Sequence, residues 1–120
     1  MRILLLKNLT DKHGRKYKKE DVLFELMKFD KPLIGEVGSD NSSTVNLSRA
    51  SHTVSNITFD KNNDLYGDLT ILNNPIGDVL SALVAIDPNA IRMGMRGTGT
   101  LNKNNEVSDF KLITFDIYKK

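Results

Sequence analysis

Serine hydroxyls, a carboxylate and two imidazoles are the side chains in this 120-residue chain that suit acyl-transfer chemistry. Glu36 follows Gly35 and is a candidate general base, although an isolated glutamate beside a glycine is usually solvated. His52 lies in the sequence ASHTV, where a strand is expected, and a lone strand histidine is more often structural than catalytic. The serines of the same region are Ser39, Ser42, Ser43, Ser48 and Ser51. None lies in a G-x-S-x-G nucleophile motif, so these residues alone predict no enzyme.

The segment IRMGMRGTGTLN, residues 91–102, contains Gly94, Gly97 and Gly99 between strand-forming residues. It does not open a helix in a G-x-G-x-x-G pattern, so a dinucleotide site is not expected. A phosphate-binding loop would be followed by Lys-Ser or Lys-Thr, which this segment lacks. The sequence therefore predicts no bound cofactor.

The composition excludes several kinds of binding site. The chain has no cysteine, which excludes disulfides and thiolate zinc sites, and His13 and His52 are too few for a His-rich metal cluster. The net charge is +2, and much of the basic excess lies between residues 12 and 19. A basic cluster can contact phosphate, but no aromatic pattern for base stacking accompanies this one. We therefore expect a solvated turn, with neither a metal ion nor nucleic acid as a partner.

The opening sequence MRILLLKNLT has only four consecutive apolar residues, too few for a signal peptide core or a membrane span. We expect a soluble protein with no membrane partner and no visible route of secretion. At 120 residues the chain is expected to form a single domain, because two halves would be too small for useful cores.

The pattern of apolar residues predicts an α+β fold in the order β-α-β-β-α-β-β, with an extra short strand near Ile34. Helices are expected near residues 18–29 and 75–86, the second with Asn74 as N-cap and Pro75 at the first helical position. The residues at helical spacing, expected to face the sheet, are Val22, Leu23, Leu26, Met27 and Phe29 in the first helix and Ile76, Val79, Leu80, Leu83 and Val84 in the second. Strands are expected in residues 2–9, 47–60, 65–72, 91–102 and 106–118. The sequence therefore predicts a small curled antiparallel sheet or barrel with two flanking helices.

In this order, the segments NDLYGDLTIL, PIGDVLSALV, IRMGMRGTGTLN and FKLITFDIY resemble the prohead maturation protease family of tailed bacteriophages. The resemblance continues upstream through GRKYKKEDVLFEL, LIGEVGSD and NLSRASHTVSNI, and it covers most of residues 8–118. That family shares the fold of the herpesvirus capsid protease, so the resemblance implies a β-barrel with flanking helices.

The chain departs from the family at its catalytic positions. The family's base histidine lies in a G-E-x-x-H-P segment, where this chain has Ser39. The family's nucleophile lies in a G-x-S-S-R-G-x-G-S segment, and the matching residues 94–100 retain Arg96 and the glycines but lack the Ser-Ser pair. His52 matches a histidine often found on the strand after the base segment. A catalytic set that replaces the missing residues would have to pair Thr98 or Ser39 with His52. The segments that contain His52 and Thr98 are expected to be neighbouring strands.

The resemblance to the family, together with the missing catalytic residues, predicts a non-catalytic virion protein. It would bind the capsid shell as an auxiliary, decoration or head assembly protein. Its partners would be the major capsid protein or other head proteins, and any oligomer would follow the capsid lattice. It would lie in the virion, and in the host cytoplasm during assembly. The first alternative is an active prohead serine protease with a shifted catalytic set, which cleaves capsid and scaffold proteins. The second is an unrelated small barrel whose basic first turn contacts nucleic acid.

Overall fold

The computed structural model describes residues 1–38 and 42–119, and within them the chain forms six strands and two α-helices. In chain order these are β1 (Arg2–Leu6), α1 (Lys19–Leu26), β2 (Leu33–Glu36), β3 (Ala50–Phe59), β4 (Leu65–Ile71), α2 (Pro75–Ile86), β5 (Ile91–Leu101) and β6 (Val107–Lys119). A single 3-10 turn, Leu47–Arg49, precedes β3. The predicted α+β class and element order are confirmed, including the short strand near Ile34.

The described strands form two open antiparallel sheets. The first has four strands in the order β1-β4-β3-β2, and the second is the β5-β6 pair. Strand β1 lies beside β5 and β2 lies beside β6, but neither contact is a continuous hydrogen-bonded ladder. The prediction of a closed barrel is therefore wrong for the described residues, and the alternative of an open antiparallel sheet is the one that matches.

The core lies between the two sheets. Its fully enclosed apolar side chains come from α1, β3, β4 and β6, at Val22, Val54, Leu65, Phe115 and Ile117. Helix α1 packs on β6, while α2 packs on β3 and β4. Each helix thus covers one of the two sheets.

Helix α1 buries only part of the apolar face that its spacing predicted, with Val22 fully buried and Leu26 packed against the core. The apolar spacing predicted that Leu23 and Met27 would be buried, but they are 42% and 82% exposed. Glu25 is buried instead and accepts a hydrogen bond from the Leu112 backbone nitrogen at 2.9 Å. The β5-β6 register shifts beside Leu112, so that nitrogen is bonded by a side chain of α1. Glu25 thus joins α1 to β6 next to the register shift.

Helix α2 begins as predicted but buries little of its apolar face. The Asn74 side chain accepts a hydrogen bond from Gly77 N at 2.7 Å, and Pro75 lies in the first turn. Asn74 Nδ2 also donates to Ala50 O at 2.9 Å, which ties the helix start to β3. Of the predicted apolar face, Leu80 is buried, Leu83 is half-buried and Val79 is 72% exposed.

Candidate functional site

The contact between β2 and β6, which we call the β2-β6 seam, is held mainly by side chains. Thr114 Oγ1 donates to Ile34 O at 2.7 Å, and Asp116 Oδ1 accepts from Glu36 N at 3.1 Å. Beyond the end of β2, Gly38 N donates to Ile117 O at 2.8 Å. The family-like segments at Gly35-Glu36 and at Arg96 meet on the two sides of this seam, which makes it the candidate site.

His52 is fully buried at the seam, and both of its ring nitrogens are hydrogen-bonded. Its Nε2 lies 2.8 Å from Phe115 O and its Nδ1 lies 2.7 Å from Ser51 Oγ. A carbonyl oxygen only accepts, so Nε2 carries the proton and Nδ1 accepts from the Ser51 hydroxyl. Burial lowers the pKa of His52, against the opposing effects of the Phe115 carbonyl and the Asp116 charge. The imidazole is therefore neutral near pH 7.

The position of the His52 ring leaves room only for a glycine at residue 35. The two residues are paired across β2 and β3, and a Cβ atom on Gly35 would lie 2.4 Å from His52 Nε2 and 2.2 Å from Phe115 O. Any larger residue would displace the ring or break its bond to the carbonyl. The glycine of the Gly35-Glu36 pair thus serves close packing rather than a turn.

The Ser51-His52 pair has the spacing of a nucleophile and its base, but it is sealed in the protein interior. Both residues have no exposed surface. The Ser51 hydroxyl donates its hydrogen bond to a ring whose other nitrogen is held by a backbone carbonyl. Because no substrate carbonyl can approach a fully buried hydroxyl, this pair is structural in the described conformation.

Arg96 forms a buried ion network with two carboxylates across the seam. Its Nε and Nη2 bind the two oxygens of Asp116 at 2.8 and 2.9 Å, and Nη2 also donates to Glu36 Oε2 at 2.9 Å. All three side chains are at most 5% exposed. The hydrogen bonds that Arg96 donates to Asp116 are the largest cause of its raised pKa; burial opposes the rise, and the bond that Arg96 donates to Glu36 adds to it. The guanidinium is permanently charged and held in a bidentate pair.

The same network holds the chain segment that follows β2. Arg96 Nη1 donates to Ser42 O at 3.1 Å and to Thr44 O at 3.2 Å. Asn46 N donates to Glu36 Oε2 at 3.2 Å, and Arg49 Nε lies 3.5 Å from Glu36 Oε1. Glu36 is therefore an ion-pair partner and an acceptor for the backbone, which argues against its proposed role as a general base.

The Tyr118 ring lies beside Gly94, two residues before Arg96 in β5. A Cβ atom on Gly94 would lie 2.3 Å from Cε2 of Tyr118, which belongs to the paired strand β6. The ammonium group of Lys12 lies over the Tyr118 ring as a cation-π contact. One of the two positions that precede Arg96 thus has no room for a side chain.

The structure does not bring the remaining catalytic candidates together. His52 lies on β3 of the four-stranded sheet, whereas Thr98 is exposed on β5 of the two-stranded sheet, opposite Lys111. The prediction that they lie on neighbouring strands is wrong, because β5 pairs only with β6 among the described strands. Ser39 lies outside the described residues.

Sequence reasoning missed Asp116 and Tyr118, both of which shape the site. Asp116 is fully buried between Phe115 and Ile117 in β6. A carboxylate inside an apolar strand is a usable signal, because a buried charge requires a partner. Its partner is Arg96, and nothing in the sequence indicated the register that joins them.

Two further features are absent from residues 1–38 and 42–119. No group of three or more histidine, cysteine or acidic side chains there has an arrangement that could hold a metal ion. Neither helix in that part of the chain is long and apolar enough to cross a membrane.

Comparison with known proteins gives a structural match. No family model matches the chain, and no curated protein matches it. One solved structure that it resembles is the capsid assembly protease gp21 of bacteriophage T4, with a TM-score of 0.85 and 20% identity. The match covers 100% of this chain and 81% of that one. The chain therefore has the fold of a phage capsid assembly protease.

Proposed function

We propose that this chain is a non-catalytic protein of the phage head that binds the capsid shell as an auxiliary, decoration or assembly protein. The observation that carries the proposal is the relation of Gly94 to Tyr118. In the family it resembles, serines precede the conserved arginine, whereas here the residues before Arg96 are Gly94 and Met95, and Tyr118 occupies the space beside Gly94.

The other catalytic requirements support the same conclusion. A serine or threonine hydroxyl needs an adjacent base to become a nucleophile, and the base must reach it within hydrogen-bond distance. His52 is buried with both nitrogens bonded, and Glu36 is committed to Arg96. The exposed Thr98 lies on a strand of the other sheet. Of the two described candidate hydroxyls, Ser51 is therefore inaccessible and Thr98 lies on a different sheet from His52.

The head-binding part of the proposal is supported by the fold alone. The T4 protein of this fold is a capsid assembly protease, and from that role we infer that proteins of this fold can bind capsid components. A surface that binds them does not depend on the catalytic residues, so it can persist when those residues are absent. This step is an analogy of fold, and the association experiment below tests it directly.

The first experiment asks whether the protein cleaves. The purified chain is incubated with the capsid and scaffold precursors of its own phage, beside the His52→Ala and Thr98→Ala variants. Thr100→Ala is the matched control, because it is another exposed threonine of β5. We expect no cleavage by any of the proteins. Cleavage by the wild type and by Thr100→Ala that both other variants abolish would instead establish the alternative, an active protease with a shifted catalytic set.

The second experiment asks whether the protein binds the head. Purified particles are analysed for copy number, and the chain is co-sedimented with assembled capsid protein. We expect stable association and a high copy number in mature particles. Absence from mature particles, together with failure to co-sediment with assembled shells, would refute the binding role.

A further inference from the structure

The turn of residues 11–15 is held in place by the side chain of Asp11. Asp11 Oδ1 accepts hydrogen bonds from His13 N at 2.8 Å and from Arg15 N at 3.0 Å. Asp11 Oδ2 accepts from Arg15 Nε at 2.6 Å and from the Tyr17 hydroxyl at 2.7 Å. The Asp11 side chain is only 4% exposed. Its carboxylate therefore serves the turn itself, and the basic residues of the turn are fixed at their backbone.

Three residues of this turn, Lys12, His13 and Arg15, line a pocket of about 300 Å3. Tyr118 of β6 forms another part of its wall. Within the described part of the chain, none of the residues that line the pocket is acidic. The pocket, which we call the turn pocket, is therefore suited to an anion.

The cations around the turn pocket keep hydrogen-bond donors available. Arg15 binds Asp11 through Nε, and its two terminal nitrogens have no hydrogen-bond partner among residues 1–38 and 42–119. Lys12 contacts the Tyr118 ring, and a cation-π contact leaves its positive charge in place. Arg92 lies opposite Tyr118 in the β5-β6 hairpin and is exposed, with no ion pair in the same described ranges. Asp11 thus offsets only one of these three positive charges.

We propose that the turn pocket binds a dianionic phosphate group, either as free phosphate or as a phosphate monoester. Such a group has a charge near −2 and three strong acceptor oxygens. It can accept from the Lys12 ammonium and from the planar fork of Arg15 at the same time. A carboxylate has one charge and two oxygens, so it would pair with fewer of these donors. The proposal is independent of whether the protein binds the capsid.

Titration with inorganic phosphate, at fixed pH and constant ionic strength, tests the proposal through the backbone amide signals. The signals of residues 11–15 should shift along a saturating curve. The turn of residues 60–64 is the matched control. Asp60 Oδ1 accepts from the backbone nitrogens of residues 62 and 64, and this turn also has a lysine in second place, but it ends in Asp64 instead of Arg15. Its signals should stay unchanged. Shifts that do not saturate, or equal shifts in both turns, would refute the proposal.

Substitutions then test the residues. Lys12→Gln should weaken the binding of inorganic phosphate roughly tenfold, because it removes a charged donor. Lys18→Gln is the matched control, since Lys18 is an exposed cation of the same basic segment that does not line the pocket. Arg92→Gln changes an exposed side chain and provides a second site variant if Lys12→Gln does not fold. An equal loss in a folded site variant and in Lys18→Gln would refute the proposal, because binding would then follow net charge alone.

Adenosine monophosphate and adenosine identify the source of the phosphate. Binding of inorganic phosphate and of the monophosphate, but not of adenosine, would assign the pocket to phosphate monoesters. Binding of inorganic phosphate alone would assign it to the free anion. The proposal would be overturned if inorganic phosphate had no effect while an oligothymidylate without terminal phosphate, or an acidic peptide, shifted the signals of residues 11–15. The pocket would then recognise a nucleic acid backbone or carboxylates.

Discussion

The ring of Tyr118 lies where a side chain at position 94 would project, so that a Cβ on Gly94 would come within 2.3 Å of the ring. This relationship explains why the strand that resembles a protease nucleophile segment has a glycine at that position. Tyr118 is held in turn by Lys12, which lies over its ring. The two contacts couple the basic first turn to the candidate site, a connection that charge alone did not indicate.

Replacing Gly94 with serine should destabilise the fold without creating an enzyme. The new Cβ must displace Tyr118, and overpacking of this kind costs about 1–3 kcal/mol. Chemical denaturation measures the loss, and a peptidase assay on the same protein should remain blank. The control is a double-mutant cycle with Tyr118→Ala, in which the effect of the serine should shrink once the ring is gone. Additive effects of the two changes would show that the ring does not restrict position 94.

Replacing Arg96 with alanine should be among the most damaging single changes. It leaves Glu36 and Asp116 buried without their shared cation, and breaking a buried ion pair in this way costs about 3–5 kcal/mol. Arg49→Ala is the matched control, because that side chain is half-exposed and its contact with Glu36 is 3.5 Å, so it should cost less than about 1 kcal/mol. Urea titrations of both variants measure the difference. Equal losses would argue against the network as the main stabiliser of the seam.

His52 should make the folded state less stable as the pH falls below about 6.5. Its pKa is lowered in the folded state, so the unfolded chain binds a proton that the folded chain refuses. The free energy of unfolding should therefore fall as the pH drops from about 6.5 towards 5, by at most about 1.4 kcal/mol per pH unit. Denaturation of wild type and His52→Gln across this range tests it, and the variant should lose the slope.

The control for this pH effect is His13→Gln, which removes the exposed histidine and leaves the buried one in place. A His13→Gln protein that loses the pH dependence, or a His52→Gln protein that keeps it, would assign the effect to another group.

Leu80 and Leu83 should respond differently to truncation. Leu80 is 4% exposed, so Leu80→Ala removes buried methyl groups and should cost about 2–4 kcal/mol. Leu83→Ala should cost less, because Leu83 is only half-buried on the flank of α2. Thermal unfolding compares the two variants. A larger loss for Leu83 would mean that the helix packs on the sheets by a different face.

Local patterns in the sequence determined most of the elements. The Asn74-Pro75 start of α2, the short strand near Ile34 and the long β5-β6 hairpin were all predicted, because caps, turns and strand-forming runs depend on near neighbours. The strand order was not accessible in the same way. Whether β1 and β5 close into a barrel depends on contacts between distant segments, and the structure leaves them without a ladder.

The candidate site could be predicted from the sequence only in part. Sequence alone determined that the residues before Arg96 are not serines and that His52 is the histidine on the strand after the Gly35-Glu36 pair. Only the tertiary structure decided what these residues touch. Asp116 and Tyr118 lie at least 20 positions from Arg96 and Gly94, and β6 brings them into contact through a register that shifts twice along the hairpin. Hydrogen bonds and close packing act between atoms a few ångströms apart. The number of residues between two side chains does not tell whether they come that close when the register of the hairpin shifts between them.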